Sequence, residues 1–421
     1  MKSAARLGES AARTGGAAEV DMLATVGPAT DNGPQPGVGS REPERPYHRA
    51  MASERGPGIP LGRVLGVPIY LAPSWFVVAA VVIVAFEPAV ASSSDVGRPA
   101  TFVVAGGFVV LLLLSVLVHE LAHAFAALSL GMPVKEIVAT LWGGHTQFED
   151  EAPTPGRSAV VAVVGPLSNG VLAGVGLLLL TRLDGGVTRL LLLALVATNG
   201  FVAVFNLAPG LPLDGGRLVE SGVWAFTGRR WRGTVVAGWC GRVVAVLVLV
   251  WTLGLPLLDG RTPGLFSLVW SVLIAGMLWQ GASSAIAVGK VHRGAEALDL
   301  ATFTAPAVAS PAATSQWQSG DLDDTLHVVA IDAGGRPVGV LTPQARQQLS
   351  ASGQPPPGTP LASVMTVLDP SVTLPATSSG ADVLAALATR PAYTYVVVDA
   401  RGDVVGLAQG QRLADAVTGR T

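Results

Sequence analysis

The sequence predicts a polytopic α-helical membrane protein with about six transmembrane helices, followed by a smaller C-terminal α/β domain. Of the 421 residues, 50% are hydrophobic and only 13% are charged, and the mean hydropathy is +0.51. Soluble domains carry about 25% charged residues, so the composition indicates a membrane protein. After Lys290 the sequence changes to short β-branched runs, which indicates a separate domain.

Residues 1–59 are rich in Gly, Ala, Pro, Ser and Arg and lack apolar periodicity, so we expect this segment to be disordered. It contains no hydrophobic region of the kind found in signal peptides, and Met51 is a plausible alternative start. The net charge of −2 gives no reason to expect nucleic-acid binding. The single cysteine, Cys240, excludes an intramolecular disulfide and a cysteine-rich zinc site.

Six apolar spans are each long enough to cross a bilayer, at residues 70–90, 102–128, 158–180, 190–207, 235–257 and 265–288. Lys and Arg are concentrated on one side of them, at Arg49, Arg55, Arg63, Lys135, Arg157, Arg217, Arg229, Arg230, Arg232, Lys290 and Arg293. The loops on the other side hold only Arg98, Arg182, Arg189 and Arg261. Because cytoplasmic loops carry the excess of basic residues, we expect both termini of this cell-membrane protein to be cytoplasmic.

The second span contains the sequence His-Glu-Leu-Ala-His at residues 119–123. On a helix, His119 and His123 share one face and can bind one Zn²⁺, while Glu120 lies where it can act on water. A solvated helix surface is the ordinary explanation for such residues, but charged and polar groups inside a membrane are costly unless they pair or line a cavity. The pattern therefore predicts a zinc site with one ion per chain.

A catalytic zinc site typically has three protein ligands, and Asp214 is the best third ligand. It is an isolated acid where the fourth span ends in a sequence rich in Pro and Gly, at the same membrane depth as the histidines. Broken backbone at that depth is tolerated where it lines a cavity or is buried in protein. The alternative is that Asp214 caps a helix that starts at Gly215.

Other polar residues near these spans have two interpretations each. Asn169 and Asn206 could position a substrate, or could hydrogen-bond a neighbouring helix. Gly143 and Gly144 are flanked by strand-forming residues, which predicts a β-hairpin or re-entrant loop whose edge could pair with an extended substrate. His145 is a possible extra ligand, although a histidine on a loop surface is the commoner situation.

These motifs together resemble the site-2 protease family of intramembrane zinc metalloproteases. The matching sequences are His-Glu-Leu-Ala-His at 119–123, Gly-Pro-Leu-Ser-Asn at 165–169, Asn206 and Asp214-Gly-Gly, with a similar entry to the first span at 66–75. The resemblance covers residues 62–290, within a predicted protease domain at 60–290. It implies that His119, His123 and Asp214 bind zinc, Glu120 is the general base, Asn169 positions the substrate, and Gly143 and Gly144 lie in a re-entrant β-loop. Gly210 differs from the bulkier residue that is common in the family.

The predicted C-terminal domain, residues 298–421, contains an internal repeat of strand, Asp, Gly-containing turn and strand, at 328–341 and at 395–407. It is similar to a tandem pair of CBS modules, a regulatory fold that binds adenine nucleotides. The family's usual Thr and Asp correspond here to Thr342 and Ala345, and to Gln409 and Arg412. Because the ribose-binding acid is absent from both modules, we expect a structural role or a homodimer contact rather than nucleotide binding.

The predicted function is that of an intramembrane zinc endopeptidase acting on single-span membrane proteins. The resemblance implies substrates that have already been trimmed outside the membrane. The alternative is an ion or solute transporter gated by the CBS-like pair, because transporters also contain broken helices and intramembrane acids. The His-Glu-x-x-His spacing favours the protease, since a transporter has no need of it. A catalytically silent homologue would not need all three ligands and the base.

Overall fold

The structure is a computed structural model that describes residues 58–93, 97–140, 143–148, 154–183, 185–260, 262–315, 326–352, 356, 358–369 and 372–420. The segment 1–59, predicted to be disordered, and the alternative start at Met51 fall outside the described residues, apart from residues 58 and 59. The chain divides into two compact units between Ile286 and Ala287.

The first unit is mainly helical. Its helices are α1 (Trp75–Ser93), α2 (Arg98–Ser129), α3 (Pro155–Leu180), α4 (Gly186–Asn206), α5 (Asp214–Thr227), α6 (Arg230–Leu249), α7 (Leu255–Leu258) and α8 (Leu265–Ala297), the last of which continues into the second unit. A π-helical turn, Val250–Gly254, joins α6 to α7. In the described part of the chain, six helices are long and apolar enough to cross a membrane, which confirms the predicted polytopic fold.

The first span begins later than the sequence predicted. Residues 67–71 form a strand whose side chains alternate between buried and half-buried positions, and the helix begins only at Trp75. Hydropathy alone does not distinguish this strand from the helix that follows it, because Val67, Ile69 and Leu71 are all apolar. Their period of two was the signal for a strand.

Four short strands form a sheet in the first unit, in the order β1 (Ile59–Val64), β2 (Val67–Leu71), β3 (Val134–Thr140) and β4 (Gly143–Phe148). The β1–β2 and β3–β4 pairs are antiparallel, whereas β2 and β3 are parallel. The β3–β4 pair is a hairpin, as predicted, but the two glycines form the start of β4, opposite Thr140 and Ala139, rather than the turn. Since β4 pairs only with β3, its other edge is open among the described strands.

The sheet packs against the helix that carries the two histidines. Val67 and Ile69 of β2 and Ile137 of β3 form a buried cluster with Ala124 of α2. Ala124 immediately follows His123, so this apolar contact fixes the sheet beside the predicted zinc ligands.

The second unit contains a seven-stranded sheet in the order β8-β7-β6-β5-β11-β10-β9. Its strands are β5 (Thr304–Pro311), β6 (His327–Ile331), β7 (Pro337–Leu341), β8 (Thr366–Val367), β9 (Thr373–Pro375), β10 (Thr394–Val398) and β11 (Val404–Gln409). Its helices besides the end of α8 are α9 (Leu300–Phe303), α10 (Pro343–Ala351), α11 (Gly380–Thr389) and α12 (Gly410–Thr418). Tyr395, Leu413 and Val383 are among the side chains that fill its main core.

The internal repeat is visible in this sheet. In each half, a strand runs parallel to the first strand of an antiparallel hairpin, and a helix follows the hairpin. The hairpin turns match in detail: Asp332 Oδ1 accepts from the N–H groups of residues 334 and 336, and Asp399 Oδ1 accepts from those of residues 401 and 403. Gly335 and Gly402 have φ of 78° and 89°, which glycine adopts at no steric cost. The C-terminal unit therefore has the predicted CBS-pair fold.

Candidate metal centre

Two imidazoles on α2 meet at a buried point. His119 and His123 are each 7% exposed, and their Nε2 atoms are 3.1 Å apart. The helix produces this arrangement because residues at i and i+4 lie one above the other on the same face. Both rings therefore direct a possible ligand atom at the same place.

Asp214 supplies a third atom at that place. Its Oδ2 lies 3.2 Å from His119 Nε2 and 3.4 Å from His123 Nε2. Asp214 is the first residue of α5, and the N-cap position belongs to Leu213, which makes no side-chain cap hydrogen bond. In the structure the carboxylate of Asp214 faces the two rings, and Asp214 is not at the N-cap position of α5.

The separations of these three atoms suit a small divalent cation. A tetrahedral zinc ion with bonds of about 2.0–2.1 Å sets its ligand atoms about 3.3–3.4 Å apart. The separations here are 3.1–3.4 Å, and two neutral imidazoles with one carboxylate are a common ligand set for catalytic zinc. The cluster of His119, His123 and Asp214 could thus hold a zinc ion and leave the fourth position for water or substrate.

The second nitrogen of each ring has a hydrogen-bond partner that determines the tautomer. His123 Nδ1 lies 2.6 Å from the carbonyl oxygen of Val161, which can only accept, so Nδ1 carries the proton. His119 Nδ1 lies 2.6 Å from Asn169 Oδ1. With protons on both Nδ1 atoms, both Nε2 lone pairs are free to bind a metal.

A buried amide relay fixes the orientation of Asn169. Asn199 Nδ2 donates to the carbonyl oxygen of Leu195 at 2.9 Å and to Ser115 Oγ at 3.0 Å, which leaves Asn199 Oδ1 as the acceptor. Asn169 Nδ2 donates to that oxygen at 2.8 Å, so Asn169 Oδ1 must face His119. Asn169 and Asn199 are 2% and 1% exposed. The relay therefore connects a backbone carbonyl of α4 to the tautomer of His119.

Glu120 follows the first histidine and faces the sheet. It is 5% exposed, and its Oε2 accepts a hydrogen bond of 2.8 Å from Thr146 Oγ1 on β4. Gly144, on the same strand, lies so close that an added Cβ would overlap the Glu120 side chain and approach Oε1 to 2.8 Å. The absence of a side chain at residue 144 thus lets the backbone of β4 pack directly against the Glu120 side chain.

A glycine of α3 packs in the same way against the two rings. A Cβ built on Gly165 would overlap His123 Nε2 and would lie 2.8 Å from His119 Nε2. Only glycine fits at this position without displacing the ligand atoms. The Gly-Pro-Leu-Ser-Asn sequence therefore contributes both the space for the ligands, at its first residue, and the partner of His119, at its last.

The structure brings most, though not all, of the sequence-predicted residues together. Asn206 is the last residue of α4, is half-buried and makes no hydrogen bond to a described residue. The side chain of His145 is outside the described part of the chain. Thr146 and Gly165 contact the centre, and Asn199 supports it through Asn169; none of the three was predicted. Asn199 could have been found in the way that Asn169 was, as an amide in an apolar span, whereas Thr146 and Gly165 gave no separate signal.

Comparison with known proteins gives matches to one kind of enzyme. The family model for peptidase family M50 matches residues 107–188, which include both histidines, Glu120 and Asn169. A curated "putative zinc metalloprotease" of Synechocystis sp. is 29% identical over 358 residues, 83% of this chain and 92% of that protein. The "putative zinc metalloprotease Rip3" of Mycobacterium tuberculosis is 33% identical over 231 residues, 53% of this chain and 57% of that protein.

Among solved structures, the site-2 protease from Methanocaldococcus jannaschii aligns with 54% of this chain and 94% of its own length, with 23% identity and a TM-score of 0.39. Solved CBS domains also align with part of this chain, with TM-scores of 0.18–0.22.

Proposed function

Because this chain carries a peptidase family M50 domain and is a zinc metalloprotease of the site-2 protease type, we propose that it is an intramembrane endopeptidase that cleaves the transmembrane segments of single-span proteins. The observation that carries this proposal is the convergence of His119, His123 and Asp214 within 3.1–3.4 Å, on elements that adjoin membrane-spanning helices. A zinc ion at that point supplies Lewis-acid polarisation of the scissile carbonyl and lowers the pKa of water.

Glu120 is the general base in this proposal. Thr146 donates to Oε2, so Oε1 is the oxygen available to take a proton from the attacking water and to pass it to the leaving amine. The Thr146 hydrogen bond also holds the carboxylate in one orientation. Since Gly144 has no side chain, the backbone of β4 lies directly beside the Glu120 carboxylate.

Asn169 acts in this proposal through His119 rather than on the substrate. Its Oδ1 accepts from His119 Nδ1 and its Nδ2 donates to Asn199, so both ends of the amide are engaged in a buried position. A substrate carbonyl would have to displace one of these bonds. Asn169 and Asn199 are therefore positioning residues that keep the His119 lone pair directed at the metal.

The open edge of β4 is the proposed binding surface for the substrate. A helical transmembrane segment has its carbonyls engaged in i to i+4 hydrogen bonds, so it must unwind before attack. An unwound segment can recover those bonds by pairing with an edge strand. Gly143 and Gly144 lie at the start of β4, and the backbone of Gly144 lies against the Glu120 side chain, which supports this proposal. The half-buried Asn206, whose amide has no hydrogen-bond partner among the described residues, is the second candidate for substrate contact.

The finer features predicted from the sequence are retained as proposals. We place both termini in the cytoplasm, with a protease domain at 60–290 and a CBS-like pair at 298–421 that regulates it. Thr342 caps α10 by accepting from the N–H of Ala345, so its hydroxyl is already engaged in a structural contact. This supports a structural or dimerising role for the CBS-like pair rather than adenine nucleotide binding.

The test compares Glu120→Gln with wild type in purified full-length protein. The change keeps the shape of the side chain and the Thr146 contact but removes the base, so we expect zinc to remain at one ion per chain while cleavage of a single-span substrate falls at least a hundredfold. Glu136→Gln on β3 is the matched control, with activity and zinc content like those of wild type. Equal turnover by Glu120→Gln and wild type would contradict the assignment of Glu120.

A further inference from the structure

Arg242 is a charged residue inside the fifth membrane-spanning segment. It lies in the apolar helix α6, between Gly241 and Val243. Arginine within a span is costly unless it is paired, so its presence in such a helix is itself evidence of a specific contact. It is remote in sequence from the metal centre and has no part in the mechanism above.

The guanidinium lies beside two indole rings and one hydroxyl. Its Cζ is 4.7 Å from the centroid of the Trp239 ring and 5.0 Å from that of Trp279 on α8. Nε and Nη2 donate to Ser283 Oγ at 3.3 and 3.0 Å. The Ser283 hydroxyl itself donates to the carbonyl oxygen of Trp279 at 2.6 Å, so the oxygen accepts from Arg242. These contacts hold the side chain in one orientation.

The contacts neutralise none of the charge. Among the described residues, no carboxylate forms an ion pair with Arg242, and Nη1 has no hydrogen-bond partner. Indole rings and a serine oxygen stabilise a cation but supply no negative charge. An oriented guanidinium with unused donors in an apolar region is suited to bind an anion, and its planar fork suits a phosphate in particular.

The surroundings indicate where that anion comes from. Trp239, Trp279, Val243 and Val246 are 55%, 47%, 58% and 47% exposed, so the surface around Arg242 is apolar and faces outward. Arg242 lies roughly 15 Å along the helix from Arg232, and Ser283 lies roughly 10 Å from Lys290, at 1.5 Å per residue. The guanidinium contacts Trp239 and Ser283, each roughly 10 Å along its helix from Arg232 or Lys290, so it lies on the side of the bilayer that these basic residues border. Acyl chains can lie on the apolar side chains while a headgroup reaches Arg242.

We propose that Arg242, Ser283, Trp239 and Trp279 form a binding site for the phosphate of an anionic phospholipid, in the leaflet that borders Arg232 and Lys290. The phosphate oxygens accept from the Nη1 and Nη2 groups of Arg242. The two indoles cover the glycerol region, and the exposed valines contact the acyl chains. The site joins α6 to α8 from the outside of the helix bundle.

The test measures lipid retention by the full-length protein in detergent, by native mass spectrometry after titration with phosphatidylglycerol or phosphatidylcholine. Wild type is expected to prefer phosphatidylglycerol about tenfold, because both lipids offer a phosphate to Arg242 but only the choline headgroup adds a positive charge that repels the guanidinium. Arg242→Gln should abolish the preference, and Trp279→Leu should weaken it. The control is Arg232→Gln, which should show the same lipid preference as wild type. Arg232 is exposed at the start of α6 and lies beside one tryptophan, Trp231.

A second arm distinguishes a lipid from a free anion. Soluble glycerol phosphate at millimolar concentration should not displace the lipid, because it lacks the acyl chains. Displacement would overturn the lipid assignment, and an unchanged preference in Arg242→Gln would overturn the site. Should Arg242→Gln fail to fold, as judged by its unfolding temperature in detergent, the Trp279→Leu titration decides between these outcomes.

Discussion

The relay through Asn199 leads to a prediction about zinc affinity at a residue that does not contact the metal centre. Asn199→Leu removes the acceptor of Asn169 Nδ2 in a site that is almost fully buried. Nothing then holds the Asn169 amide in its present orientation. If it rotates, its NH₂ group faces His119 Nδ1, which must accept, and the proton moves to Nε2, where it blocks metal binding.

The size of the effect follows from what is left unpaired. In the variant, the buried NH₂ group of Asn169 has lost its acceptor, which costs about 1–3 kcal/mol. The amide can recover a hydrogen bond by rotating, but then His119 Nδ1 must accept that bond and loses its proton. Loss of the groups that orient a metal-binding histidine typically reduces metal affinity by about 10–100-fold. We therefore expect the zinc dissociation constant of Asn199→Leu to rise by that factor. Ser115→Ala removes one of the two acceptors of Asn199 Nδ2 and should have a smaller effect.

The assay is competition for zinc between the purified full-length protein and a chelator of known affinity. Asn206→Leu is the matched control, since Asn206 lies on the same helix and its side chain has no hydrogen bond to a described residue; its zinc affinity should equal that of wild type. If Asn199→Leu keeps wild-type zinc affinity and loses only proteolysis, the relay does not act through His119, and contact with substrate becomes the better explanation of these asparagines.

Three further predictions concern glycines and a helix cap. Gly165→Ala should abolish zinc binding, because its Cβ would overlap the ligand nitrogens, whereas Gly174→Ala on the same helix has open space and should bind zinc normally. Gly144→Ala should retain zinc but lose most activity, measured on the single-span substrate, because the methyl group would displace the base. Ser379→Ala should lower the unfolding temperature of the second unit by a few degrees at neutral pH, since it removes the capping box of α11. Hydrogen bonds from the Ser379 hydroxyl and N–H lower the pKa of Asp382 from 3.8, so the stabilisation that the carboxylate contributes is present above that pH. The difference between the variant and wild type should narrow as the pH falls through the lowered pKa, but it should not vanish, because the hydrogen bond from Asp382 N–H to Ser379 Oγ does not titrate.

The sequence predicted what local patterns can determine. Length and hydropathy define the six spans, and a spacing of four residues on a helix places His119 and His123 together without any knowledge of the fold. Asp214 was predicted from its isolation as an acid beside a broken helix. The Asp332 and Asp399 turns were predicted from their repetition. Each of these features is determined by residues that are close in sequence or by a simple period.

The features that were missed depend on contacts between distant elements. Thr146 contacts Glu120 only because the sheet packs on α2, and nothing in its own sequence neighbourhood distinguishes it from other strand threonines. Gly165 is one of several glycines in α3, and only the position of α2 makes it necessary. Arg242 gave no signal in the hydropathy pattern, because the span that contains it is apolar on average. Sequence periodicity does not carry this information, because it describes one element at a time.

Gly210, the one departure noted in the Asp214 motif, is explained by its neighbour across the fold. A Cβ at Gly210 would overlap the backbone of Gly241 on α6, and a Cβ at Gly241 would in turn overlap the carbonyl oxygen of Leu211. Two glycines thus let the loop before α5 pack directly on α6 and hydrogen-bond to it, with Leu211 N–H donating to the carbonyl oxygen of Ala237. This contact fixes the backbone only a few residues before Asp214, whose two partners lie on a different helix. A bulkier residue at 210 would push the loop away from α6, and the backbone would have to shift elsewhere to keep the carboxylate within 3.2–3.4 Å of both rings. The absence of a side chain at 210 therefore lets α6 define the position of the backbone that leads to Asp214.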